Sequence, residues 1–137
     1  MTQKRVRSAL ETRAQAFATA KNVQVCWDNV GAKPTTTHLK VTISPGPTLD
    51  PSFGNKHKRY TGALRLSYYS TELNKGMGNI TSFIDDLVAY FPRGLQLSSG
   101  GLVVNITNTP NVSAPVYEGT FIFVTVDVLY RADDITN

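Results

Sequence analysis

The strongest pattern in the chain is a two-residue alternation near its end. Over 117–131, Ile122, Val124, Val126, Val128 and Tyr130 are all apolar, and Phe121, Phe123, Thr125, Asp127 and Leu129 between them form a mixed row. That period places one wholly apolar row on one side of a pleated ribbon. The β-branched and aromatic content suits a half-buried strand. The pattern predicts a long strand in the middle of a sheet, with an apolar row that other elements must cover. A second alternation sets Tyr60, Leu64, Leu66 and Tyr68 against Arg59, Thr61, Ala63, Arg65, Ser67 and Tyr69, and predicts its neighbour.

Two stretches carry helical spacing instead. Residues 3–21 place Val6, Leu10 and Phe17 on one narrow face among Ala and Arg, with Thr2 as a candidate cap and Asn22 as a candidate stop. The opposite face, with Lys4, Arg5, Arg7 and Arg13, reads as solvated. Residues 79–91 repeat Ile80, Phe83, Ile84, Leu87, Val88 and Phe91 at three- and four-residue steps and stop at Pro92 and Gly94. This second helix is the natural cover for the apolar strand row.

Shorter alternations predict strands at 23–27 and 39–43 and a hairpin of 95–97 with 102–106 around Gly100 and Gly101. Ser44-Pro45-Gly46-Pro47 should end the second strand, because proline donates nothing to a central ladder. Residues 28–37, 45–58, 70–78 and 108–115 read as loops, and 131–137 as a mobile tail. The order is α-β-β-β-α-β-β-β. It predicts one α+β domain over 1–137, with an antiparallel or mixed sheet and both helices on one face.

The composition narrows the chemistry. A single cysteine, Cys26, excludes an intrachain disulfide and a multi-cysteine metal site. Cys26 could in principle meet His38 or His57 as a thiol–imidazole pair, but within Val-Gln-Val-Cys-Trp a small buried thiol is the simpler reading. Gly76-Met77-Gly78 before a helix lacks the third glycine and the Lys-Ser/Thr of phosphate loops. No cofactor and no metal are expected. No apolar run approaches the length of a membrane span, and neither export nor a bilayer is expected. The formal charge of +4 permits nucleic acid or an acidic protein as partner and demands neither. Tyr60, Tyr68 and Tyr69 among basic residues partly fit a nucleic-acid surface. What remains are attachment surfaces.

Several blocks together resemble the tail terminator-like proteins of long-tailed bacteriophages. They are the opening Met-Thr-Gln-Lys-Arg-Val-Arg-Ser-Ala-Leu-Glu-Thr-Arg, Arg59-Tyr60-Thr61-Gly62, Tyr90-Phe91-Pro92-Arg93-Gly94, Ser98-Ser99-Gly100-Gly101 and Tyr130-Arg131-Ala132-Asp133. They follow the family's order and span nearly the whole chain. The resemblance implies a structural role without catalysis: a subunit of a six-membered ring that caps the growing tail tube and stops its polymerisation. The expected partners are other copies of the chain, the tube protein and a head-completion or connector protein, with DNA passing through unbound. The expected place is the head-proximal end of the virion tail, after assembly in the host cytoplasm. Another head–tail joining or tube component is the alternative, and a small basic nucleic-acid-binding protein is a second. A head-to-tail ring needs two different complementary faces. The candidates are Lys56, His57, Lys58, Arg59, Arg93 and Arg131 on the basic side and Asp127, Asp133 and Asp134 on the acidic side.

Overall fold

A computed structural model describes residues 2–27, 36–49, 57–71, 78–99 and 102–135. The elements run α1 (Thr2–Ala20), β1 (Gln24–Trp27), β2 (His38–Leu49), β3 (His57–Ser70), α2 (Gly78–Tyr90), β4 (Gln96–Ser99), β5 (Leu102–Ile106), β6 (Asn111–Val112), β7 (Val116–Glu118) and β8 (Phe121–Ile135). The chain is mostly β, and its single sheet curls into a half-barrel. The strand order is β1-β2-β3-β8-β5-β4, with β6 and β7 also pairing with β8. β1 pairs with β2 in parallel and every other pair is antiparallel, so the sheet is mixed.

Among the described residues eight strands replace the expected six. Of the two additional ones, β6 lies where 108–115 was expected to be a loop, and β7 takes the start of the stretch expected as one long strand. Segments β5, β6 and β7 lie in succession along one side of β8, through Ile106↔Tyr130, Val112↔Val126 and Val116↔Phe123. They are one antiparallel strand broken by Pro110 and Pro115. Between β6 and β7 a serine completes the ladder: the Ser113 N–H donates to the Thr125 carbonyl at 2.8 Å, and the Thr125 N–H donates to Ser113 Oγ at 3.0 Å. The stretch expected as one strand from Tyr117 is in fact a hairpin. Glu118 pairs with Phe121 across a two-residue turn, and Gly119 takes φ 60° there. A glycine at the first turn position is the arrangement of a type II′ hairpin.

Two further expectations need correction. β2 continues through Pro45 and Pro47 to Leu49, with a register shift between Pro45 and Thr48. The prolines are tolerated because β1 pairs with β2 only at His38–Val41, which leaves the later residues on an edge. The Thr61 hydroxyl also donates to the Pro47 carbonyl at 3.1 Å and holds the irregular stretch to β3. At the other end, Arg131–Ile135 is not a tail. It pairs with His57–Thr61 of β3, with Asp133 opposite Arg59. Residues 28–35, 50–56 and 72–77, which carry most of the remaining loop expectations, lie outside the described residues.

The apolar row of β8 is buried as its period requires: Ile122, Val124, Val126, Val128 and Tyr130 join Leu64 and Leu66 of β3 in one core. Val6, Leu10 and Phe17 of α1 and Ile80, Phe83, Ile84 and Leu87 of α2 belong to the same cluster. α1 lies against β1, β2, β4 and β5, and α2 touches β8. The helices also fix each other. Phe17 meets Phe83 edge-on at 5.3 Å and Tyr90 at 5.2 Å, and Lys21 pairs with Asp86. Arg13 is not part of the solvated face. Its Nη2 and Nε donate to the Tyr90 carbonyl at 2.8 and 3.2 Å, and its guanidinium lies 3.8 Å from the centre of the Tyr90 ring. A cation suits this place, because it satisfies a carbonyl at the negative end of α2.

α1 ends as its sequence suggests. Asn22 adopts φ 56°, the Val23 N–H donates to the Ala18 carbonyl at 2.9 Å, and the Asn22 N–H donates to the Thr19 carbonyl at 3.2 Å. These are the two bonds of a Schellman motif, with asparagine in the left-handed position.

Candidate assembly surface

The two faces of the β3–β8 pair have opposite characters. One packs on the helices. The other carries the odd-numbered residues of both strands, and the register sets these directly opposite one another: Arg59↔Asp133, Thr61↔Arg131, Ala63↔Leu129, Arg65↔Asp127, Ser67↔Thr125 and Tyr69↔Phe123. The chemistry matches rung by rung. Arg59 Nε donates to Asp133 at 2.8 Å, Arg65 Nε donates to Asp127 at 2.9 Å, and the Ser67 and Thr125 hydroxyls lie 3.0 Å apart. Tyr69 stacks on Phe123 at 4.6 Å and on His38 at 4.8 Å. Burial pushes the Tyr69 phenol up from its ordinary range, and the Glu118 carboxylate adds to the effect. Directly opposed unlike charges and aromatic pairs are the units that stabilise a two-stranded ribbon.

Four of the residues nominated from sequence therefore converge here: Arg59, Asp127, Arg131 and Asp133. The acidic and basic groups meet first within the subunit. Arg131 adds a longer contact to Asp133 at 3.6 Å. Lys58 is exposed, in register with Asp134, and His57 stands opposite Ile135. Arg93 is exposed in the turn after α2. Lys56 lies outside the described residues. Cys26 is buried in β1 in register with Lys40, and His38 Nδ1 lies 2.8 Å from the Thr36 carbonyl. The described residues include no group of three or more His, Cys, Asp or Glu able to hold a metal, and no helix long and apolar enough to cross a membrane.

Between the two charged ends of this face the ladder is interrupted by small and apolar residues. A cleft of about 420 Å³ opens there, lined by Ser44, Gly46, Thr61, Ala63 and Leu129 and rimmed by Arg131. The cleft also reaches Gly62, the last residue of the family-like block Arg59-Tyr60-Thr61-Gly62. A Cβ on Gly62 would lie 2.6 Å from the Ser44 carbonyl oxygen and 2.6 Å from the Tyr130 hydroxyl. Glycine at this position lets the Tyr130 ring cross β3 in the core while β2 keeps its spacing. Tyr130 is 3% exposed, and its burial pushes the phenol up from its ordinary range while nearby Arg7 lowers it.

Sequence reasoning missed a second feature. Every residue from Asn111 to Thr120 is exposed. They form the sheet edge beyond β8 and present Val112, Val116 and Tyr117, the last 73% exposed. Exposed apolar residues on a strand edge invite contact with another chain. Grouping Tyr117 with the long strand concealed this. The Glu-Gly-Thr sequence that follows it was the available signal of a turn.

In sequence, no curated protein matches the chain. Solved structures share its fold, among them two that match nearly the whole chain. One, which carries no functional name, is 24% identical with a TM-score of 0.80, and the match covers 96% of each chain. The other belongs to the virion of a native gene transfer agent particle and is 13% identical with a TM-score of 0.55, covering 97% of this chain and 96% of that one. The model of the phage tail terminator protein family matches residues 5–130, from the first turns of α1 to Tyr130 near the end of β8. With nearly its whole length accounted for, the chain belongs to the phage tail terminator family and is a structural protein of the virion tail.

Proposed function

We propose that the protein assembles as a ring, most simply of six copies, which caps the tail tube, ends its polymerisation and presents a docking surface to the head or connector. What supports the reading is the family match over residues 5–130. The role is structural and involves no catalysis or cofactor. Its partners are other copies of the chain, the tube protein and a head-completion protein, and its place is the head-proximal end of the tail. The open face suits a ring through which DNA passes unbound. Arg59 and Arg65 are each neutralised by a carboxylate in their own subunit, so the face carries little unpaired positive charge to hold phosphates. The remaining nominated residues, Lys56, His57, Lys58, Asp134 and Arg93, serve the contacts with neighbouring copies and with the tube.

The alternative, another head–tail joining or tube component, draws on the fold shared with the gene transfer agent virion chain. Native mass spectrometry of the purified protein tests the ring. The reading predicts a discrete assembly of six copies with no larger series. A monomer at every concentration would remove the ring, and an open-ended ladder of masses would favour a tube component.

A further inference from the structure

Resting on the ring reading, we propose that adjacent copies join by a knob and a cleft: Tyr117 on the β6–β7 edge of one copy enters the open-face cleft of the next. Three observations carry the proposal. The first is the knob. Tyr117 is the most exposed large apolar side chain among the described residues, at 73%, and Val112 and Val116 on the same sheet edge are 50% and 45% exposed. Tyrosine at a contact supplies a large rigid surface at small entropic cost. The second is the cleft, about 420 Å³, with apolar walls and a floor of small side chains from Ser44, Gly46, Thr61 and Ala63 beside the part-exposed Leu129. Small residues leave room for a ring without rearrangement. The third is charge. Glu118 follows the knob, is exposed and makes no ion pair among the described residues, while Arg131 stands at the rim with a 44% exposed side chain. An acid beside the knob and a base beside the cleft are complementary across a contact and repel when like meets like.

The two patches do not meet within one subunit. Tyr117 stands opposite Ile122, and the cleft lies at Leu129 on the same strand. At about 3.3 Å per residue, they are roughly 20 Å apart along β8. Two different, complementary and separated patches make a heterologous contact, which generates rings or open filaments rather than closed two-fold dimers. The opposite sheet edge is poorly suited to backbone pairing with a neighbour, because Pro45 and Pro47 remove donors from β2 there. A side-chain knob on one edge avoids that obstacle.

Two variants and their mixture test the proposal by sedimentation velocity. Tyr117→Ser removes the knob and Leu129→Lys fills the cleft with a charge. Each is expected to weaken self-association at least tenfold while leaving the circular dichroism and melting of the subunit unchanged. Mixing the two should restore one contact only, between the Leu129→Lys knob and the Tyr117→Ser cleft, and should yield a one-to-one dimer that does not grow. A wild-type chain that never associates would overturn the ring reading itself. A wild-type ring with both variants still forming rings would keep that reading and overturn this contact. Loss of association in Tyr117→Ser alone, with Leu129→Lys normal, would place the knob against another partner surface and overturn the pairing with the cleft.

Discussion

Leu87→Asp should leave no folded, soluble subunit. Leu87 is fully buried and lies in the middle of the apolar stripe of α2, the helix that touches β8. Truncating such a leucine costs about 2–5 kcal/mol. A carboxylate in its place adds the cost of burying a charge without a partner. Together these approach the whole net stability of an ordinary domain, about 5–15 kcal/mol. Ser82→Asp on the exposed side of the first turns of the same helix is the control. A negative charge near the positive end of a helix is neutral or mildly stabilising. Expression, solubility and thermal melting of the pair separate a buried-face effect from a general intolerance of charge in α2. A soluble Leu87→Asp subunit with unchanged melting would contradict the assigned core.

Gly62→Ala should be the most damaging methyl group that can be added to the sheet. The new Cβ meets the Ser44 carbonyl oxygen and the Tyr130 hydroxyl, both at 2.6 Å, with the ring carbon behind the hydroxyl at 2.9 Å. Neither neighbour is free to give. Ser44 belongs to the β2–β3 ladder, in register with Ala63, and Tyr130 is 3% exposed in the core. Overpacking of this kind costs about 3 kcal/mol, which for a domain of this size lowers the melting temperature by roughly 10 °C. Tyr130→Phe in the same chain should relieve only part of the loss, because it removes the hydroxyl and leaves the ring carbon and the Ser44 oxygen in place. Melting of the single and double variants reads both effects. A Gly62→Ala subunit that melts with the wild type would show that β2 and β3 are not held at the spacing described.

The fold was legible wherever the chain repeats a period long enough to bury a row. The apolar positions of β8 and β3 and the stripe of α2 follow from the sequence and pack in or against the core, and the stop at Asn22 follows from it too. The errors fall where pairing, not periodicity, decides the structure. β6 is two residues long and β7 three, so neither shows an alternation; they exist because β8 offers them a continuous edge. Pro45 and Pro47 rule out a central strand only, and the sequence does not say that β1 is too short to make β2 central at that point. Arg131–Ile135 looks like a polar tail until Arg59 is placed opposite Asp133, 74 residues away in the chain.

The candidate surface shows the same division. The charged residues Arg59, Asp127, Arg131 and Asp133 were visible as a set, and their set membership was informative. Their mutual partnering depends on the register of β3 against β8, which no local signal fixes. The cleft is less legible still, because it arises from small residues on three strands, and small residues leave no mark in a hydropathy pattern. Gly62 was noticed through a resemblance alone. Its physical reason, the passage of the Tyr130 ring, appears only when the two strands are side by side.

The central claim is that this subunit ends a tube. Electron microscopy of polymerising tail tubes mixed with the purified protein tests it most directly. The account predicts a ring on one end of each tube and tubes that stop growing once capped. Decoration along the tube wall or on both ends, or continued elongation past the bound protein, would contradict it.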